Sequence, residues 1–122
     1  MSRDREALVM AAALTTTGLL HFASPRPFDR IVPRSLPGKP RTWTYVSGVA
    51  ELAVAAAVAV PATRRLGGLA AAGLFAAVFP ANVKMAVDWR HQSAGRRAIA
   101  YGRLPMQVPL VLWALRVARS AT

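Results

Sequence analysis

The sequence of 122 residues has no cysteine, which excludes disulfides, thiolate metal sites and thiol nucleophiles together. Any redox chemistry then has to come from a bound molecule or a partner. No cofactor-binding motif, internal repeat or low-complexity tract stands out beyond an alanine bias. Acidic residues are scarce: five Asp and Glu stand against sixteen Lys and Arg, a formal net charge of +11. In a soluble protein that excess would suggest nucleic acid. Here the arginines fall almost entirely between apolar blocks, where they meet phosphate head groups, and no basic stripe is interleaved with stacking aromatics. The expected partner is the lipid bilayer, and nucleic acid is not expected.

What the chain does have is apolar sequence, 54% of it, gathered into four blocks at 7–23, 43–60, 66–87 and 104–118. A hydrocarbon core about 30 Å thick takes roughly 17–25 helical residues. The second and third blocks meet that length, the first is borderline, and the short fourth relies on Arg116 and Arg119 snorkelling outward. The fold class expected is all-α, a four-span antiparallel transmembrane bundle forming one domain over 1–122, with a soluble helical bundle as the rival. The first twenty residues have the outline of a signal peptide, but Asp4 and Glu6 offset Arg3 and Arg5, which favours an uncleaved first helix.

The connections carry their own signals. Pro25 and Pro27 stop the first helix. The segment 24–42, with prolines at 25, 27, 33, 37 and 40, is read either as one or two turns lying in the membrane interface, with Phe28, Ile31 and Val32 opposite Asp29, Arg30 and Arg34, or as a plain surface loop. Trp43 and Tyr45 open the second helix at aromatic-belt depth. The tight Pro61-Ala62-Thr63-Arg64-Arg65 turn makes the second and third helices antiparallel neighbours. Small residues at four-residue spacing, Gly68-Ala72-Ala76 and Gly73-Ala77-Ala81, allow close backbone approach in the third. Pro80 should kink it. Residues 88–103 are expected to be a polar connection, with Pro105 at the first position of the fourth helix and Pro109 bending its next turn.

Glu51 is the one carboxylate inside an apolar block. It would cost roughly 3 kcal/mol in hydrocarbon unless neutralised or turned to a protein interior, so it points to function. Counting along antiparallel helices places His21, Glu51, Asn82 and Gln107 roughly 3, 12, 8 and 5 Å from the same membrane face. Thr44, Ser47, Gly48 and Glu51 share one face of the second helix. The pattern suggests a pocket in one leaflet, floored by Glu51 and lined by His21, Asn82, Gln107, Tyr45 and Lys84. The plainer alternative is that Asn82 and Gln107 hydrogen-bond between helices, His21 sits among head groups, and Lys84 either snorkels or pairs with Glu51.

Several short pieces occur in a characteristic order: His21-Phe22 before Pro25 and Phe28, Ile31-Val32-Pro33, Leu36-Pro37, Tyr45 with Ser47-Gly48-Val49-Ala50-Glu51-Leu52, Thr63-Arg64-Arg65-Leu66, and Phe79-Pro80-Ala81-Asn82-Val83. Together they resemble the DoxX-like family of membrane proteins over about four fifths of the chain. The resemblance implies a four-helix protein of the bacterial cytoplasmic (inner) membrane. It also implies a loose link to quinone-coupled sulfur oxidation, through the family's namesake similarity to a subunit of thiosulfate:quinone oxidoreductase. It supplies no agreed catalytic role for His21, Glu51 or Asn82, and catalytic residues stay unassigned.

Two functions remain open. The chain is a membrane component of a redox system, with no intrinsic cofactor, whose pocket holds a quinone or other small apolar ligand; or it is a non-enzymatic scaffold that binds a partner enzyme or further copies of itself. No self-sufficient catalytic motif is present. Orientation is balanced too. Nine cations on the face of the long connections against six on the other place those connections inside, while the Arg64-Arg65 turn pulls the other way.

Overall fold

The computed structural model describes residues 2–121; the terminal residues of the 1–122 domain, Met1 and Thr122, lie outside the described residues. The chain forms helices α1 (Arg3–Ala23), α2 (Arg26–Asp29), α3 (Pro40–Ala59), α4 (Arg64–Ala77), α5 (Phe79–Asp88) and α6 (Ala94–Ser120), with a short 3₁₀ turn at Pro61–Thr63. Four stretches are long and apolar enough to cross a membrane: α1, α3, Pro61–Asp88 and α6. Large apolar side chains cover the outside, among them Leu66 at 71% and Val108 at 63% exposed. A girdle of that kind far exceeds the patches a soluble monomer tolerates, and it fits a multi-pass protein embedded in lipid.

Local chemistry accounts for the ends of the helices. Ser2 caps α1 by accepting from the Arg5 amide. Pro40 occupies the first turn of α3, where its missing N–H costs nothing. The segment before α3 contains the single turn α2, so of the two sequence readings the helical one holds for residues 26–29 and the loop for the rest. The fourth span corrects the sequence reading: it begins at Ala94 rather than 104, and the connection shrinks to residues 89–93. Ser93, whose Oγ accepts from the Arg96 amide at 3.3 Å, starts the helix ten residues early. Pro105 and Pro109 therefore lie inside the helix, a placement that membrane helices tolerate when neighbours re-satisfy the freed carbonyls.

The third span breaks where Pro80 requires. Val78, with ψ of −5°, separates α4 from α5, and the Asn82 amide resumes the helical ladder on the Val78 carbonyl at 3.1 Å. The small-residue pattern is used on one side only. Gly68 and Ala72 are buried, as is Gly67, whereas Gly73 faces open space, so the Gly73-Ala77-Ala81 row makes no helix contact at Gly73.

Packing is concentrated at one end. Ala7, Met10, Ala11 and Leu14 of α1, Ala55 and Val58 of α3, Ala71 and Ala72 of α4, and Ala114 and Val117 of α6 form one buried cluster. Toward the other end α1 stays on α3, while α5 packs on α6 around Met85, Ala86 and Ala100. The kink at Val78 thus lets two helix pairs diverge from a common packed base.

Polar clamps fasten that base. The buried Arg64 guanidinium donates to the Val58 carbonyl at 2.8 Å, the Ala59 carbonyl at 3.0 Å and Asp4 at 2.8 Å. Arg116 pairs with the buried Glu6. Arg64 satisfies the orphan carbonyls at the end of α3, so Arg64→Met should lower unfolding stability in detergent by about 1–3 kcal/mol. Because Asp4 is 82% exposed on its side chain, Asp4→Asn should change it by no more than about 1 kcal/mol. Equal losses in the two variants would mean that the ion pair, and not the carbonyl capping, holds this end.

Candidate functional site

Thr17 and His21 are four residues apart on α1 and so lie on one face, which packs on α3. The two helices come close because Gly18 and Gly48 meet there. A methyl group at Gly48 would lie 2.9 Å from the His21 Cβ and 2.7 Å from the Phe22 ring. At that separation the Thr17 hydroxyl reaches across to donate to Glu51 Oε1 at 2.8 Å. The Thr17 carbonyl in turn accepts from His21 Nδ1 at 2.6 Å, which places a proton on Nδ1.

His21 Nδ1 also stands 3.1 Å from Glu51 Oε2, close enough for an ion pair when the ring is protonated. Its proton, however, is directed at the Thr17 carbonyl. Glu51 Oε2 is left buried and without a hydrogen bond, and so is Gln107 Oε1. Phe28 of α2 stacks on the imidazole with ring centroids 3.8 Å apart, fixing the ring plane.

These groups border a cavity of about 870 Å³ between the diverging helix pairs. Its polar lining includes Thr17, His21, Ser47, Glu51, Asn82, Arg103 and Gln107. Met10, Phe75, Leu110 and Trp113 supply apolar wall, and Ile31, Val32 and Leu36 approach from the segment between α1 and α3. The volume is in the range of sites for small organic ligands, which are apolar with a few convergent polar groups.

Of the six residues singled out from sequence, His21, Glu51, Asn82 and Gln107 line this cavity. Two do not. Tyr45 faces outward, stacked on Phe22 and beneath Arg41. Lys84 is turned away: it pairs with Asp88 and donates to the Arg30 carbonyl at 2.8 Å, the geometry of a cation reaching for the helix end instead of for Glu51. Both sit on the wrong side of their helices. Thr17, Phe28 and Arg103 went unmarked. Thr17 was signalled by its four-residue spacing from His21; the other two needed the path of the chain.

The segment over the cavity is tied down through Asp29. Thr44 donates to Oδ1 at 2.6 Å and Arg41 to Oδ2 at 2.8 Å, and the Trp43 indole donates to the Pro37 carbonyl at 2.7 Å. Desolvation pushes the Asp29 carboxyl up, but the bonds from Thr44 and Arg41 and the Arg41 charge outweigh it and hold it below its ordinary 3.8. A depressed carboxylate stabilises above its unfolded value and loses that contribution only as pH falls through the lower folded one. The latch should therefore be insensitive to pH from 8 to about 4. Hydrogen exchange of residues 26–39 should rise in Asp29→Ala at pH 7, and a wild-type rise between pH 7 and 5 would contradict the assignment.

Four spans around a ligand-sized cavity in one half of the bundle define a multi-pass helical membrane protein. Within that class the chain belongs to the DUF8561 family, described as a domain of unknown function, whose model matches residues 10–118. No curated protein and no solved structure matches the chain.

Proposed function

We propose that this protein is a membrane component of a quinone-linked redox system, binding a quinone-like molecule with its ring at Glu51 and its tail along the apolar wall. The supporting observation is a cavity of about 870 Å³ with a largely apolar lining that includes a carboxylate, an imidazole and two amides among its polar groups. A proton-exchanging pair, Glu51 and His21, beside an amide able to hold a carbonyl oxygen is the chemistry such a ligand needs. The resemblance to DoxX-like proteins favours the same reading and a bacterial cytoplasmic membrane. Electrons are exchanged with a bound molecule or a partner protein, since the chain has no cysteine.

Trp43 and Trp113 line the cavity, so their fluorescence reports occupancy. Decyl-1,4-benzoquinone added to the detergent-solubilised protein should quench it saturably. Ala50→Leu, which adds bulk to the lining, should weaken that binding about tenfold. Linear quenching, the same in both proteins, would reflect partition into the micelle and leave the non-enzymatic scaffold reading in its place.

A further inference from the structure

The chain has five side-chain carboxylates, and each stands within ion-pairing distance of a basic residue other than Arg103: Asp4 of Arg64, Glu6 of Arg116, Asp29 of Arg41, Glu51 of His21 and Asp88 of Lys84. No carboxylate is left for Arg103, an exposed residue of α6 that lines the cavity where it opens. Its guanidinium has five N–H donors, and one of them is directed at the Met85 sulfur of α5 at 3.3 Å, a weak acceptor.

Two amides line the cavity with it. Asn82 shares a face of α5 with Met85, three residues on, and Gln107 follows Arg103 by one turn of α6. Asn82 is 4% and Gln107 7% exposed, and among the described residues neither side-chain amide has a protein hydrogen-bond partner. Buried amides without partners are costly, so these are groups that a ligand is needed to satisfy. Glu51 does not serve them, being turned to Thr17 and His21. Beyond the amides the α6 wall becomes apolar. Leu110 follows Gln107 by three residues and Trp113 follows Leu110 by three more, roughly 15 Å along the axis from Arg103. The wall runs from cation through amide to hydrocarbon, the order of head and tail in an amphiphilic acid.

We propose that this end of the cavity is an anion site and that the cavity takes a single-chain amphiphile with an acidic head group, a long-chain carboxylate being the simplest. The anion sits on Arg103, with Asn82 and Gln107 donating to its remaining lone pairs, and the chain lies along Leu110 and Trp113. Hydrogen bonds from a guanidinium to an oxyanion are about twice as strong as neutral ones. A volume of about 870 Å³ is in the range that small organic ligands occupy. This site goes beyond the quinone reading, since it fixes the head group whatever the apolar body is. The carbonyl oxygens of a quinone satisfy the amides but bring no charge to Arg103.

Dodecanoate and methyl dodecanoate share a chain and a carbonyl oxygen and differ in charge. Each is titrated calorimetrically into the wild-type protein in nonionic detergent at pH 8, where a carboxylate is ionised, with titrations into protein-free micelles subtracted. The acid should bind at least about tenfold more tightly than the ester. In Arg103→Gln, which breaks no ion pair, that preference should fall to about threefold or less. Equal binding of acid and ester by the wild-type protein, binding of neither, or a preference unchanged in Arg103→Gln would overturn the anion site and leave the quinone reading untouched. Tighter binding of dioleoylphosphatidylglycerol than of dodecanoate would give the cavity to a two-chain membrane lipid and overturn the single-chain occupant. Binding of dodecanoate without any binding of decyl-1,4-benzoquinone would support the anion site and remove the quinone reading alone. The wild-type comparison of acid with ester decides the matter even if the variant folds poorly.

Discussion

Glu51→Leu should fold as well as the wild-type protein, or better, and should no longer bind decyl-1,4-benzoquinone measurably. The Glu51 side chain is 14% exposed beside an imidazole, and replacing a buried polar pair of this kind by apolar side chains is often neutral or stabilising by about 1–4 kcal/mol. The one donor it would leave behind is already provided for. Thr17 Oγ lies 3.1 Å from the Ala13 carbonyl and can turn its proton there, as helical threonines commonly do. Glu51→Gln keeps the side-chain length and the acceptor for Thr17, but it points an amide at the Nδ1 proton of His21 or at the cavity. Its melting temperature should stay within a few degrees of wild type while affinity for decyl-1,4-benzoquinone falls about tenfold or more. Loss of stability beyond about 3 kcal/mol in Glu51→Leu, together with full binding in Glu51→Gln, would make this residue part of the packing and remove the ligand site.

The contrast between those outcomes follows from why an acid sits in an apolar block, and that much was legible in the chain before any coordinates. Hydropathy placed four spans because membrane length is a hard constraint, and the four residues counted toward one membrane face, His21, Glu51, Asn82 and Gln107, line one cavity. Depth along an axis is a one-dimensional count. Rotation about the axis is not, and there the reading failed: Tyr45 and Lys84 lie at suitable depths on the wrong faces. The start of α6 was hidden for a different reason. Residues 94–103 carry three arginines, and that charge was read as loop although Ser93 is a sound helix cap. The cavity itself was only half visible. Pro80 announced a kink, but that the kink would swing α5 away from α3 depends on what α4 and α6 pack against at the base.

That base is where substitution should cost most stability. Gly67 and Gly68 are neighbours in sequence, yet they face different helices. A methyl group at Gly67 would stand 2.6 Å from the Val58 amide nitrogen and 2.7 Å from the Ala57 carbonyl carbon of α3; at Gly68 it would stand 2.7 Å from the Ala118 nitrogen of α6. In each case the obstacle is backbone, which cannot rotate aside as a side chain does. The first turns of α4 are held between α3 and α6 at a separation that glycine alone permits, and van der Waals packing of this kind is a main source of cohesion between helices in lipid. Gly67→Ala and Gly68→Ala should each destabilise the detergent-solubilised protein by about 1–3 kcal/mol, despite alanine's better helix propensity. Because the two act on different interfaces, the double variant should lose about the sum. Gly73 on the same helix has nothing within 4 Å of the corresponding position, so Gly73→Ala should be neutral or stabilising by up to about 1 kcal/mol. If the variants at 67 and 68 melt no lower than the one at 73, the close approach of α4 to its neighbours is not what holds the base together. If they do melt lower, ligand binding should weaken with them, since the divergence that opens the cavity is measured from that fixed point.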